Sequence, residues 1–188
     1  MRKLILIKHA RPQVDDRVPS HDWALSAQGR ESCQPLARLV ARHEPAVVVT
    51  SHEPKAAETG RIVATALGIP VREAPGLHEH DRSNVPMMDS REFISTVALF
   101  FRDHDSLVLG LETADAALAR FEQALADVVA AEPEGNIAVV THGTVLALFA
   151  AAHGAGEAFQ LWRRLGLPSL MVFDLPDYRP IQSVDRVG

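Results

Sequence analysis

Histidine and lysine side chains follow three apolar segments of the sequence, at the point where each segment ends. An imidazole can act as a nucleophile or a proton carrier, and ammonium groups attract anions. Two imidazoles beside cations should have lowered pKa values, which leaves one of them neutral and nucleophilic near neutral pH. A site built from imidazole and ammonium groups would bind a multiply charged anion, and phosphate is the natural candidate. The residues are Lys8 and His9 after the first segment, Ser51 and Lys55 after the second, and His142 and Gly143 after the third.

The apolar segments that carry these residues are predicted to be buried strands. Residues 4–7, 46–50 and 136–141 are short and mostly apolar, as in strands covered on both faces, and further strands are predicted over 69–73 and 169–175. Because strands alternate with helices, the predicted class is α/β, a three-layer sandwich with a mostly parallel central sheet and helices on both faces. The carboxyl ends of parallel strands form the ligand crevice, where helix N-termini add N–H groups.

Helices are predicted from apolar spacing and from end signals. Ser26 is a plausible N-cap within residues 21–45, and Pro35 is expected to kink or divide that helix. The next helix has Pro54 in its first turn and Gly68 as its C-terminal stop. The remaining helices are predicted within residues 89–104, within 112–133 with Thr113 as the cap, after His142, and within 157–166.

Length and composition are typical of an ordinary soluble globular protein. The chain has 188 residues, of which 47% are hydrophobic and 23% charged, so we expect one domain over residues 1–188 with a lid or specificity segment around 78–110. The net charge is -5 without a basic stripe, which argues against nucleic acid and membrane partners. The single Cys33 excludes an internal disulfide and fits a reducing compartment. The N-terminal apolar run is too short for a signal peptide, so we expect a cytoplasmic protein.

Most other catalytic templates are absent from the sequence. There is no GxxxxGK loop, no GxGxxG after a strand, no GxSxG elbow and no HExxH. Cys33 is a poor candidate nucleophile because it lies in the middle of a predicted helix. His78 and His80, together with Asp81, form a candidate metal group, although surface or rim positions are the simpler interpretation of both histidines.

Five segments, in order, resemble the motifs of the histidine phosphatase superfamily, also called the phosphoglycerate mutase-like family. The first, LILIKHARP, resembles the signature loop whose usual form is Arg-His-Gly, and LSAQG resembles the Leu-Thr/Ser-x-x-Gly helix start. The third, TSHEPKAAETG, resembles Ser-Ser-Pro-x-x-Arg-Ala-x-x-Thr-Ala. GLHEH resembles the Leu-x-Glu segment that carries the acid, and VVTHGTV resembles the second-histidine motif. The resemblance runs from Leu4 to about Leu175 and implies an α/β sandwich around a mostly parallel sheet.

The resemblance implies a role for each matching residue. His9 would be the nucleophile that takes the phosphoryl group, and His142 would bind phosphoryl oxygens. Glu79 would protonate the leaving oxygen and then help water to attack phosphohistidine. No metal or cofactor is implied. Further candidate contacts are Lys8, Arg11, Lys55 and Gly143 for the phosphate, and Ser51, Arg82 and Thr144 for the substrate.

Several positions depart from the family pattern in ways that bear on catalytic rate. Lys8 and Lys55 stand where two arginines normally clamp the phosphate, so point charges replace forked guanidinium groups. Arg11, two residues past His9, is a candidate to restore a fork. Asp15 stands where some members place a phosphate-binding asparagine, and a carboxylate there would repel phosphate.

The leading hypothesis from the sequence is a phosphatase that acts on a small phosphomonoester through a phosphohistidine on His9. A phosphomutase is an alternative, although mutases of this family usually have longer lid insertions. A phosphate-binding protein with impaired catalysis is a second alternative, motivated by the two lysines and Asp15. A metallohydrolase acting through residues 78–81 is a third. The expected partner is a small phosphorylated metabolite, and no motif reports the substrate or the oligomeric state.

Overall fold

Residues 2–187, which the computed structural model describes, form a six-stranded sheet between two layers of helices. The strands are β1 (Lys3–Lys8), β2 (Pro45–Thr50), β3 (Val71–Glu73), β4 (Asn136–Thr141), β5 (Ser169–Asp174) and β6 (Pro180–Val184). Across the sheet their order is β3-β2-β4-β1-β5-β6. Strands β3, β2, β4 and β1 run parallel to one another, whereas β5 is antiparallel to both β1 and β6. The predicted α/β sandwich with a mostly parallel sheet is therefore confirmed.

The helices begin and end close to the predicted signals. Ser26 caps the first helix by accepting the N–H of Gly29, and Gly68 ends the second with φ 67°. The first helix runs without interruption through Pro35, so its expected division is wrong; Leu36 and other buried apolar residues on both sides of the proline hold the helix in the core. The helices are α1 (Ala27–Ala41), α2 (Pro54–Leu67), α3 (Ser90–Arg102), α4 (Ala114–Ala131), α5 (Gly143–Ala152) and α6 (Ala158–Arg164).

Strand β1 is buried on both faces because its residues alternate between two apolar cores. Leu4 and Leu6 join the core that contains residues of α3, α4, α5 and α6. Ile5 and Ile7 join the core on the opposite face, which contains residues of α1 and α2. This alternation follows from the two-residue period of a strand and explains the continuous apolar run before Lys8.

The edge strand β6 was not predicted. Its five residues are Pro-Ile-Gln-Ser-Val, and four of them are exposed. An edge strand does not need an apolar face, and a proline is tolerated there because one row of backbone groups stays unpaired. Its sequence therefore lacks the apolar pattern by which the central strands were predicted.

The strand order brings the three polar junctions to one edge of the sheet. β4 lies between β1 and β2, and all three strands are parallel. Lys8 at the end of β1 is in register with Thr141 at the end of β4. The three junctions therefore meet at one edge of the sheet.

No helix within residues 2–187 is both long enough and apolar enough to cross a membrane.

Candidate active site

His9 follows β1 directly and is held in a defined orientation. Its backbone N–H donates to the Thr141 carbonyl at 3.0 Å, and its ring Nδ1 lies 2.7 Å from the Ala10 carbonyl. Because a carbonyl only accepts, Nδ1 carries the ring proton and Nε2 carries the lone pair. Burial, followed by the charges of His142 and Lys55, lowers the pKa of His9 well below its ordinary value. The ring is therefore neutral near pH 7 and has the form of a nucleophile.

His142 is fully buried at the N-cap position of α5, with its ring centroid 5.2 Å from that of His9. Its Nε2 lies 2.9 Å from the Ser51 hydroxyl, which also accepts the N–H of Glu53 at 3.3 Å. Because a hydroxyl can donate as well as accept, we assign its proton to Nε2 of His142 and the ring proton to Nδ1, which has no hydrogen-bond partner within residues 2–187 and is thereby left to donate to a ligand. Burial lowers the pKa of His142 well below its ordinary value, although the Glu79 charge opposes the shift.

Glu53 is a buried carboxylate that the sequence motifs did not predict. It is only 4% exposed and occupies the N-cap position of α2. One oxygen accepts from Nζ of Lys55 at 2.5 Å, and the other accepts the backbone N–H of Glu79 at 2.8 Å. The second oxygen also lies 3.5 Å from Nε2 of His142. Glu53 therefore joins three predicted site residues, and its one sequence signal is its position two residues before Lys55.

The two lysines that replace arginines are each held by a backbone carbonyl. Nζ of Lys55 donates to the Ser20 carbonyl at 2.7 Å, and Nζ of Lys8 donates to the Leu165 carbonyl at 2.7 Å. Burial lowers the pKa of Lys8 to about 8, although the charge of Glu79 opposes the shift.

Gly143 leaves room for the Lys8 side chain at the start of α5. A Cβ atom at position 143 would lie 3.0 Å from Cε and 3.1 Å from Nζ of Lys8. Any side chain there would press on the ammonium group, which explains a glycine immediately after His142.

Glu79 lies against the N-terminus of α5. Its two carboxylate oxygens accept the N–H of Thr144 at 3.2 and 3.1 Å, and one of them lies 4.0 Å from the Arg82 guanidinium. Burial alone raises the pKa of this carboxyl, but Arg82, His142 and the backbone donors outweigh burial and hold it well below its usual range. Glu79 is therefore ionised in the free protein.

The loop that carries Glu79 is anchored by Arg120 of α4, a second contact that the motifs did not predict. The guanidinium donates to the carbonyls of Gly76 at 2.8 Å, His78 at 3.0 Å and Glu79 at 3.3 Å. Glu112 pairs with the same guanidinium at 2.5 Å. Arg120 thus fixes the backbone on both sides of His78, although it lies 41 residues from Glu79 in the chain.

These groups open into a cleft of about 1080 Å³. Three predicted site residues do not line it. His142 is buried beside His9, and Ser51 and Thr144 are buried behind the cleft, where they contact His142 and Glu79 respectively. The predicted residues that line the cleft are Lys8, His9, Lys55, Glu79, Arg82 and Gly143, and other lining residues include His21, Trp23, His52, Glu53, Phe93 and Trp162.

Arg11 and Asp15 do not line this cleft, because the chain after Ala10 folds back onto the start of α1. Arg11 is exposed, and its carbonyl accepts from both the N–H and the hydroxyl of Ser26 at 3.0 Å. The carboxylate of Asp15 pairs with Arg17 at 2.7 Å. This geometry corrects two expectations: Arg11 does not bring a guanidinium fork to the cleft, and Asp15 is not placed to repel phosphate.

The histidines around Glu79 point to different surroundings. His80 is buried, with its ring 4.2 Å from that of Phe100 and its Nε2 3.1 Å from the Glu112 carbonyl, so it is not a surface residue, although it contributes to the cleft lining. His78 also lines the cleft, with its ring centroid 5.6 Å from that of His52. Across residues 2–187, no cluster of three or more His, Cys, Asp or Glu side chains is arranged to hold a metal ion.

Cys33 is unsuited to nucleophilic chemistry, as the sequence predicted. It is fully buried in α1, and burial raises the pKa of its thiol to about 11. A thiol with so high a pKa supplies almost no thiolate at neutral pH.

His9 and His142 lie side by side at the carboxyl edge of the sheet, which is the two-histidine arrangement that the sequence resemblance predicted. The family model of the histidine phosphatase superfamily (branch 1) matches residues 4–182. The chain therefore belongs to this superfamily. A search of curated protein sequences found no match.

Solved structures with the same fold include several phosphatases. Mycobacterial glucosyl-3-phosphoglycerate phosphatase has a TM-score of 0.71 at 20% identity, with 91% of this chain and 89% of that chain covered. A variant of phosphoserine phosphatase from Entamoeba histolytica, in complex with phosphoserine, has a TM-score of 0.76 at 17% identity, with 96% and 94% covered. A putative alpha-ribazole-5'-P phosphatase from Escherichia coli has a TM-score of 0.72 at 25% identity, with 100% and 96% covered. The mycobacterial enzyme also has structures with inorganic phosphate and with VO3.

Proposed function

We propose that this protein is a phosphatase that hydrolyses a small phosphomonoester through a phosphohistidine intermediate on His9. The observation that carries this proposal is the buried, neutral imidazole of His9, whose Nε2 lone pair is available beside His142 and in a cleft that Lys8 and Lys55 also line. Membership of the superfamily and the phosphatases among its structural neighbours support it. No cofactor enters the proposed reaction.

In the first step, Nε2 of His9 forms a bond to phosphorus while the bond from phosphorus to the leaving oxygen breaks. The ammonium group of Lys8 and the Nδ1–H of His142 stabilise charge on the phosphoryl oxygens. The leaving oxygen takes one proton, and Glu79 is the proposed donor. Because Glu79 is ionised in the free protein, this proton arrives with the substrate monoanion, whose negative charge raises the pKa of the adjacent carboxyl.

In the second step, water attacks the phosphorus of phosphohistidine. Glu79, ionised again, accepts a proton from this water. The bond between phosphorus and Nε2 breaks, its electron pair returns to His9, and inorganic phosphate leaves with the proton from Glu79. The net reaction consumes one water and one phosphomonoester and restores the free protein.

Hydrolysis of p-nitrophenyl phosphate in the presence of a metal chelator tests the proposal. We expect turnover, together with a phosphorylated protein that survives alkaline quenching and is lost in acid, as phosphohistidine is. Loss of activity with the chelator would favour a metallohydrolase. Tight binding of phosphate or vanadate, with no turnover across a broad panel of phosphomonoesters, would favour a binding protein instead. Transfer from the enzyme to monophosphoglycerate, rather than to water, would favour a mutase.

We further propose that residues 78–110 determine which substrate is accepted. This segment supplies Arg82, Phe93 and Ile94 to the cleft, and Arg82 reaches to within 4.0 Å of Glu79. The segment is thus close enough to Glu79 to contact the leaving group.

The activity should lose efficiency above about pH 8, because Lys8 then loses the proton that gives it a charge. The pKa of Lys8 is lowered to about 8, so the side chain is mostly protonated below that pH and mostly neutral above it. In Lys8→Arg the charge persists, because an arginine pKa lies above about 12. We expect the alkaline limb of kcat/KM to move up by more than about one pH unit. The control is Lys3→Arg at the opposite end of β1, and an unmoved limb in Lys8→Arg would assign the titration to another group.

Glu79→Gln should slow methyl phosphate hydrolysis far more than p-nitrophenyl phosphate hydrolysis. Methoxide is a poor leaving group, so methyl phosphate needs a proton on its leaving oxygen, whereas p-nitrophenolate leaves as a stable anion. We expect kcat/KM to fall by about 10² or more for methyl phosphate, the range of general acid catalysis. Glu73→Gln on β3, at an exposed carboxylate, is the control. Equal losses on both esters would mean that Glu79 stabilises the structure of the site and does not donate the proton.

A further inference from the structure

One wall of the cleft is built from aromatic rings with guanidinium groups at both ends. The ring of Phe93 in α3 lies 6.1 Å from that of Trp162 in α6, which stacks on Phe159 at 6.0 Å with 13° between the planes. The guanidinium carbon of Arg82 lies 5.2 Å over Phe93, and that of Arg163 lies 5.9 Å over Phe159. We call these five side chains the aromatic wall. All except Phe159 line the cleft.

The aromatic wall begins close to the groups that would hold the phosphate. Nζ of Lys8, the residue before His9, donates to the carbonyl of Leu165. Leu165 follows α6 and lies three residues after Trp162. Three residues correspond to less than one helical turn, which rises about 5.4 Å. A ligand bound through its phosphate at His9 would therefore have this wall within reach of its leaving group.

The proposed reaction at His9 does not by itself use the aromatic wall. The cleft of about 1080 Å³ is far larger than a phosphoryl group requires and lies just above the usual range for small-molecule sites, about 300–1,000 Å³. Apolar lining continues beside the wall through Ile94, which is 39% exposed, and through Leu165 and Leu167. Phe93 and Trp162 are half-buried, so part of each ring still faces the cleft, and apolar surface left open beside a nucleophile indicates a surface that a ligand covers.

We propose that the aromatic wall binds the leaving group, and that the substrate is a phosphomonoester whose leaving group carries an aromatic or heteroaromatic ring. This inference rests on the proposed phosphatase activity at His9. A flat ring can stack on the wall as Phe159 stacks on Trp162, and a guanidinium plane accepts the same stacking. A short open-chain leaving group that carries hydroxyl or charged groups has no flat apolar face and would leave the wall uncovered.

Benzyl phosphate and cyclohexylmethyl phosphate form a matched test pair. Both are esters of a primary alcohol with a six-membered ring, so they share leaving-group chemistry and differ in whether the ring is flat. We expect kcat/KM to favour benzyl phosphate by about tenfold, mainly through KM, the scale of one aromatic contact. Equal values for the two esters would overturn the inference while leaving the phosphatase activity intact.

Variants on two different helices locate the effect. Trp162→Leu in α6 and Phe93→Leu in α3 should each lower kcat/KM for benzyl phosphate far more than for cyclohexylmethyl phosphate, because only the flat ring stacks on the wall. Trp23→Leu, in the same cleft but outside the wall, should keep the preference. Loss of the preference in Trp23→Leu alone, or equal losses on the two esters in the wall variants, would contradict the assignment.

A direct binding measurement separates this inference from the proposed function. If none of the esters is hydrolysed, the phosphatase proposal fails, and calorimetry with benzylphosphonate and cyclohexylmethylphosphonate still tests the wall. We expect benzylphosphonate to bind about tenfold more tightly, and Trp162→Leu to abolish the difference. Equal affinities would overturn the inference.

Discussion

Replacement of His9 by alanine is expected to reduce p-nitrophenyl phosphate hydrolysis by at least about 10³-fold, as expected when an enzyme loses its covalent nucleophile. The substrate is activated enough to need little help from an acid, so the loss reports the nucleophile directly. His9→Ala should also abolish the alkali-stable phosphoprotein. The measurement is steady-state turnover together with labelling by radioactive phosphate.

The control for His9→Ala separates loss of chemistry from loss of fold. The backbone N–H of His9 makes the bond to Thr141, and alanine retains it, so the thermal midpoint should change little. His153→Ala, after the last residue of α5 and outside the cleft lining, should keep full turnover. Wild-type activity in His9→Ala would move the nucleophile elsewhere, with His142 as the next candidate.

The sequence predicted the strand ends well because burial and helix caps leave local signals. β1 is apolar through Ile7 and polar at Lys8, and the same change marks the end of β4 at His142. Parallel strands carry their polar junctions to one edge whatever the details of packing. The approach of His9 and His142 to each other at one edge of the sheet was therefore predictable, and the ring separation of 5.2 Å agrees with it.

Side-chain partners across long chain separations were not predictable in the same way. Arg120 looks like an ordinary polar position on α4, and only the tertiary fold brings it to the carbonyls around His78. Arg11 and Asp15 were misjudged for a related reason. Both residues are close to His9 along the chain, but the exposed side chain of Arg11 and the Asp15 carboxylate, which pairs with Arg17, lie outside the cleft lining.

The buried pair of Glu53 and Lys55 changes the interpretation of the lysines. A lysine in place of an arginine suggests a weaker phosphate clamp, yet Lys55 already has a carboxylate partner at 2.5 Å. Part of its charge is therefore balanced within the protein before a phosphate arrives. Lys8 contacts a carbonyl at 2.7 Å, so it is the lysine whose charge is more available to the substrate.

Glu53→Leu is expected to destabilise the protein by about 3–5 kcal/mol, because it leaves the Lys55 ammonium buried without its counter-charge. Both side chains are less than 10% exposed, so solvent screens the pair only weakly. For a chain of this length, about 2–4 °C per kcal/mol corresponds to a fall of roughly 10 °C in the thermal midpoint. Activity should fall as well, because Glu53 also accepts the backbone N–H of Glu79. Calorimetry and turnover measure the two effects.

Two further variants decide whether charge burial is the cause. Glu58→Gln removes the carboxylate of a more exposed pair with Arg30 and should cost no more than about 1 kcal/mol. The double variant Glu53→Leu/Lys55→Met removes both buried charges, so it should regain most of the stability while its turnover stays as low as that of Glu53→Leu. If the double variant stays as unstable as Glu53→Leu, the destabilisation comes from lost packing at the start of α2. If it regains stability and also turnover, then Lys55 does not contact the phosphate.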